Sequence, residues 1–192
     1  MTLLVLGLIV FIGIHAVPMM TGLRDSLRAR LGAGGYRIVF TIASLAGFAL
    51  LVYGYGAARA DGPPILYDPP VWMRHVTMLL MLPVFVLLVA SGAPTGRIKK
   101  AVKHPMVLAV KIWALAHLLA NGDLASVLLF AAFLAWAVAD RISLKRRPAT
   151  LDGVATGAPS AAGDIVSLVV GLGLYLAFVF YLHEWLIGVP VV

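Results

Sequence analysis

The sequence contains no cysteine. Disulfides, thiolate-bound metals, thiolate ligation of haem and iron–sulfur clusters are thereby excluded. Charge is also scarce. Only 12% of the residues are Asp, Glu, Lys or Arg, about half the share usual in soluble domains. No phosphate-binding loop, no HExxH and no meaningful Ser/His/Asp spacing is present. Neither an internal repeat nor the interrupted, inverted helices of a transporter can be read. The first apolar run has no basic stretch before it and no small-residue cleavage site after it, so it reads as a span rather than a signal peptide.

What fills the chain instead is apolar. The hydrophobic share is 62% of 192 residues, and the mean hydropathy is +1.01. A soluble core of this size has no use for so much oil, so the bilayer is the expected solvent and lipid the first partner. A helix needs about 20 apolar residues to cross the hydrocarbon. Six segments approach that: Leu3–Met20, Ile38–Ala58, Val76–Ala93, Met106–Ala120, Leu124–Ala139 and Ile165–Val189. The expected fold is all-α, a polytopic membrane helix bundle with about six transmembrane helices. Asn121, Gly122 and Asp123 are turn-type residues, and they make the fourth and fifth spans a tight hairpin. The run Arg141–Asp164 is rich in Pro, Gly, Ala and Ser and reads as a flexible connector. It divides a bundle over residues 1–150 from a tail, 151–192, made of loop and final helix.

The net charge of +7 raises the question of nucleic acid. The basic residues sit between apolar runs, however, where they set topology; no nucleic-acid partner is expected. Arg24, Arg28, Arg30 and Arg37 lie in the first loop. Arg97, Lys99, Lys100 and Lys103 lie in the third, and Arg141, Lys145, Arg146 and Arg147 in the fifth. The second loop holds Arg59 and Arg74, and the fourth holds none. Positive charge marks the cytoplasmic side, so odd loops are expected in the cytoplasm and both termini outside.

Ionisable residues within spans are costly and are candidate sites by default. His15 lies near mid-span in FIGIHAVPMM, three residues before the helix-kinking Pro18. It is either a neutral ring bonded to a carbonyl or a ligand. His117 closes the fourth span on a stripe with Val110, Ala114 and Asn121. Ala114 and Ala120 leave room for something flat or for a neighbouring helix. Lys111 is mid-span, and His104 lies seven residues before it on roughly the same side. Three fates are open to Lys111: a neutral or snorkelling amine, a protein carboxylate, or an anion on a ligand. His104 precedes Pro105 and reads first as a helix-start residue. His75 and His183 belong near the outer face.

Two neutral imidazoles on different helices can hold the iron of a b-type haem from both sides. The depths of His15 and His117 differ by roughly 5–8 Å. Helix tilt and a steep porphyrin can absorb that offset. His117 with His183 or His75 is the more level alternative.

The run from His104–Pro105 to ALAHLLANGD, ending at Asp123, resembles the NnrU family of bacterial membrane proteins. His15, GLRDSLRARLG and YRIVFTIASL (Tyr36–Leu45) fit the same resemblance, which covers about residues 1–150. It implies a role near nitrite and nitric oxide reduction in denitrification. It also implies kinship with 15-cis-zeta-carotene isomerase, a haem b membrane enzyme. By motif, that enzyme's haem histidines look like His15 and His117, and the histidine of its HP motif looks like His104. A cysteine proposed as an exchangeable ligand in the plant enzyme falls at Ala114. Histidines of its second loop and fifth helix have no counterpart.

Three functions follow. The first is a haem b protein of nitrogen-oxide metabolism in the bacterial inner membrane. The second is a haem-dependent carotenoid cis–trans isomerase with an apolar polyene substrate. The third is a non-catalytic structural or assembly bundle.

Overall fold

The structure, a computed structural model, describes residues 1–147 and 158–192. Helix α1 is Thr2–Ala16, continued by a 3₁₀ turn over Val17–Met19. It is followed by α2 (Thr21–Ala60), α3 (Met73–Gly92), the short α4 (Arg97–Val102), α5 (Pro105–Ala120) and α6 (Leu124–Arg146). The chain ends with α7 (Ala161–Ala177), a π turn over Phe178–Leu182 and α8 (His183–Ile187). Among the described residues the only β pairing is an isolated bridge, Ile65 to Asp123. The fold is therefore all-α.

Among the described residues, five helical stretches are long and apolar enough to cross a membrane: Thr2–Met19, Thr21–Ala60, Met73–Gly92, Leu124–Arg146 and Ala161–Ile187. Ile38, Ile42, Leu45 and Val169 are each at least 60% exposed. Such a surface is tolerable in lipid and not in water. The expected fourth span, α5, has 16 residues, or about 24 Å of helix, somewhat short of the about 30 Å of hydrocarbon.

Two segments expected to be loop are helical. Residues 21–37 form the first part of α2, because LRDSLRARL repeats leucine every fourth position among good helix formers. The helix breaks once, at Gly32, where φ is 70° and ψ is 167°. Only glycine adopts that backbone without strain. Likewise α6 runs through Arg141 to Arg146, with Leu144 buried on it. The other end of the expected flexible connector is held too: the Ser160 N–H donates to the Thr95 carbonyl at 2.7 Å. The remaining connector residues, 148–157, lie outside the described residues.

The chain divides into two compact units, Met1–Asp68 with Asn121–Lys145, and Pro69–Ala120 with Arg146–Val192. In the first, α1 and α2 touch backbone to backbone. A Cβ on Gly7 would lie 2.6 Å from the Leu51 nitrogen, and one on Gly47 would lie 2.7 Å from the Phe11 nitrogen. Gly54 meets Leu4 in the same way. Lipid gives helices no hydrophobic reason to associate, so close van der Waals approach has to supply it. Leu4, Leu8, Leu51, Ala58 and Ala125 form the core of this unit. One end of this unit is a polar clasp. The Gly122 carbonyl accepts the N–H groups of Leu66 and Tyr67, and Leu124 N–H donates to the Pro64 carbonyl. Asp123 caps α6 by accepting the Ser126 N–H at 2.9 Å and the Ser126 hydroxyl. Tyr55 shares its hydroxyl hydrogen bond with that same Ser126 at 2.8 Å. Burial pushes the Tyr67 phenol above its ordinary pKa, and the Asp123 charge pushes it further. Tyr67 thus stays a neutral donor to the Asn121 carbonyl.

In the second unit α3 packs on α5 and α7. Val84, Leu87 and Ala109 form its core. A Cβ on Gly171 would lie 2.6 Å from the Val86 Cα, so Gly171 is a packing residue, whereas Gly173 faces open space. Asp164 accepts the N–H groups of Arg97 and Ile98 at 2.9 and 3.0 Å, joining α7 to the start of α4. Lys99 Nζ in turn donates to the Ser91 and Ala93 carbonyls at the end of α3.

Gly47→Val forces α1 and α2 apart and is expected to cost about 1–3 kcal/mol or more. Gly56→Val, with nothing within 4 Å of its added Cβ, is the matched control. Thermal unfolding in detergent should show a clear loss for the first and little change for the second; equal midpoints would contradict the packing.

Candidate functional site

His15 is the penultimate residue of α1. Its Nδ1 lies 2.7 Å from the Phe11 carbonyl. A carbonyl only accepts, so Nδ1 carries a proton, and Nε2 is the nitrogen left to act as acceptor. Pro18 has no N–H to offer the preceding turn, and α1 tightens to 3₁₀ there. The His15 carbonyl is instead met by the Trp136 indole N–H at 3.3 Å. Three aromatic rings surround the imidazole: Phe11 at 4.2 Å between centroids, Phe40 at 5.2 Å and Trp136 at 5.9 Å, edge-on at 89°. These come from α1, α2 and α6. They pack against the ring, which stays half-buried.

Beside His15 lies a groove of about 330 Å³, lined by Phe11, Phe40, Thr41, Ser44, Leu45 and Phe48. Its size is at the lower end for small-molecule sites. Ser44 Oγ is inaccessible and, among the described residues, has no hydrogen-bond partner. Other helical hydroxyls behave differently. Ser91 donates to the Leu88 carbonyl, Ser167 to that of Gly163, and Thr77 to that of Ala116. Ser44 is thus an orphan polar atom at a groove wall, where buried hydroxyls otherwise find partners.

His117, on α5 in the second unit, repeats the His15 arrangement. Its Nδ1 lies 2.9 Å from the Trp113 carbonyl, and the Trp113 ring stands 5.4 Å from the imidazole. Both histidines therefore have an aromatic residue four positions earlier, in FIGIH and in WALAH. That residue supplies the carbonyl that takes the Nδ1 proton and a ring that packs on the imidazole. Ala114 is fully buried, which fits the helix-packing reading of that small residue.

His104 stands at the start of α5. Its carbonyl accepts the Leu108 N–H, and Pro105 is the first helical residue. The preceding Lys103 has φ 65° and ψ −49°, and the His104 N–H closes back on the Val102 carbonyl at 2.8 Å. This is a γ-turn of the strained, positive-φ kind. Lys111 is half-buried on α5, and among the described residues no carboxylate or carbonyl partners it. A protein counter-ion, one of its three expected fates, is therefore not found there. His75 is exposed at the start of α3, and His183 donates from Nδ1 to the Val189 carbonyl at 2.7 Å.

Sequence reasoning singled out the histidines and missed their surroundings. Phe11 and Trp113 were findable, since a helix places residues i and i−4 together. Phe40, Ser44 and Trp136 carried no local sign, because only tertiary packing brings them to His15.

An unsatisfied buried hydroxyl is a liability. Ser44→Ala should leave the ligand-free protein as stable or raise its stability by about 1–3 kcal/mol, whereas Ser126→Ala, which breaks bonds to Asp123 and Tyr55, should lower it by a similar amount. Chemical unfolding of the two variants checks this; a Ser44→Ala loss as large as that of Ser126→Ala would mean the hydroxyl is already paired.

No curated protein and no solved structure matches this chain. One family does, described as NnrU protein, over residues 3–191, which includes the last helix. With all but three residues of its length inside that match, the chain belongs to the NnrU protein family.

Proposed function

We propose that this NnrU-family protein is a haem b protein of the bacterial inner membrane, serving nitrite and nitric oxide metabolism, with His15 and His117 as the imidazoles that would hold the group. The observation that carries the proposal is the common state of the two rings. Each donates Nδ1–H to the carbonyl four residues earlier, at 2.7 and 2.9 Å. That second bond fixes the tautomer and turns Nε2 outward as the metal-binding nitrogen, as a carbonyl partner does in known metal sites. In the absence of any cysteine, imidazole is the natural axial donor for a b-type haem.

The residues also fit the rest of such a group. Phe11, Phe40 and Trp136 give His15 an apolar setting. Lys111, on α5 with His117, would offer its amine to the carboxylates of the group. Bound haem would supply an iron centre able to change redox state. The protein's own part is to orient each imidazole with Nε2 facing outward. Positive odd loops put the basic segments in the cytoplasm and both termini outside.

The second reading is a haem-dependent carotenoid cis–trans isomerase. The aromatic groove beside His15 suits an apolar polyene, but Ala114 supplies no exchangeable thiolate. In the third reading the two rings only bond to backbone.

Protein purified in detergent from haem-replete cells should show a Soret band, and the band should fall by at least half in His15→Ala and in His117→Ala. Folded, colourless wild-type protein would overturn the proposal in favour of the structural bundle. Conversion of the tri-cis carotene by the reduced, coloured protein would favour the isomerase.

A further inference from the structure

The stretch Thr21–Leu31 lies between two backbone breaks. Met20, just before it, has φ −95° and ψ 80°, and Gly32, just after it, has φ 70° and ψ 167°. The eleven residues between are therefore a separate helical segment, tied neither to the axis of α1 nor to that of the apolar remainder of α2. The remainder alone, from Ala33 to Ala60, spans about 42 Å and needs no help to cross the hydrocarbon.

On this segment Leu23, Leu27 and Leu31 fall within roughly 80° of one another. Leu23 and Leu31 are 43% and 45% exposed, so the stripe is not used up in packing. Arginine borders it on both sides: Arg24 and Arg28 along one edge, Arg30 along the other. Thr21, Asp25, Ser26 and Ala29 take the opposite face. Asp25 is the only acid of the segment and pairs with Arg24 at 2.9 Å. Arg28 and Arg30 are exposed and, among the described residues, meet no carboxylate. A narrow apolar stripe with cations on its borders is the pattern of a helix lying in a membrane interface.

We propose that Thr21–Leu31 is an interfacial elbow that binds the headgroups of anionic phospholipids. Its leucines enter the acyl boundary, and Arg28 and Arg30 reach sideways to lipid phosphates. Charge complementarity selects the occupant: the borders of the stripe carry arginine, and the single carboxylate is already engaged. Zwitterionic headgroups offer no net charge to this pair, whereas phosphatidylglycerol does. The proposal stands apart from the haem reading, since it uses none of the residues near His15 or His117.

The full chain in detergent micelles doped with equimolar phosphatidylglycerol and phosphatidylcholine tests it, with retained lipids counted by native mass spectrometry. Wild type should retain phosphatidylglycerol in preference to phosphatidylcholine by about tenfold. Arg28→Gln with Arg30→Gln should bring that ratio close to one without changing the circular dichroism. Arg28→Lys with Arg30→Lys should keep most of the preference. Lys100→Gln with Lys145→Gln removes the same charge from exposed sites elsewhere and should leave the preference intact. The proposal is overturned if the glutamine pair at 28 and 30 retains the wild-type ratio. It is equally overturned if the control pair abolishes the ratio as fully, or if inorganic phosphate alone displaces the lipid.

Discussion

A neutral imidazole in hydrocarbon must place its one N–H on an acceptor, because no water is there to take it. In this protein His15 and His117, one in each unit, solve that problem in the same way. The proton goes to the carbonyl four residues earlier, a group otherwise committed to the helix ladder, and the ring is braced by the aromatic side chain of that same residue. Everything chemical about the site follows from this commitment. With Nδ1 fixed as donor, Nε2 is the nitrogen that can bind something. A histidine held in the opposite tautomer would present an N–H there, leaving only Nδ1 to bind a metal.

The fold supports His15 by packing rather than by polarity. Glycines at positions 7, 47 and 54 let α1 and α2 approach backbone to backbone, which brings Phe40 of α2 to the ring. Trp136 arrives from α6, anchored by its indole N–H on the His15 carbonyl. Meanwhile α6 is held at its own start by Asp123 and by the loop that clasps Gly122. Helix-end polar bonds thus determine where a tryptophan stands some turns away. The orphan Ser44 hydroxyl is the exception in a structure that satisfies its other buried serines, and its place on the groove wall gives that exception meaning.

Much of this was legible from residues alone. Hydropathy gave the spans, since each apolar run of the needed length became a helix. Asn121-Gly122-Asp123 announced its turn, and His104–Pro105 announced the start of α5. The first loop was misread because its charge outweighed its leucine spacing; a period of four marks a helix whether the opposite face meets water or headgroups. The break at Gly32 was hidden because several glycines are neighbours there and only one takes positive φ. Lys111 was recognised as needing a partner, and packing alone could show that no described carboxylate comes to it. The cage around His15 needed tertiary structure, except for Phe11, whose position one turn before the histidine was visible throughout.

The most direct test concerns the imidazole protons themselves. In haem-free protein carrying ¹⁵N-labelled histidine, assigned by single substitution, nitrogen NMR distinguishes the protonated ring nitrogen from the bare one. The account predicts that His15 and His117 both appear as neutral rings protonated at Nδ1, with Nε2 bare. Protonation at Nε2, or at both nitrogens, in either residue would contradict it.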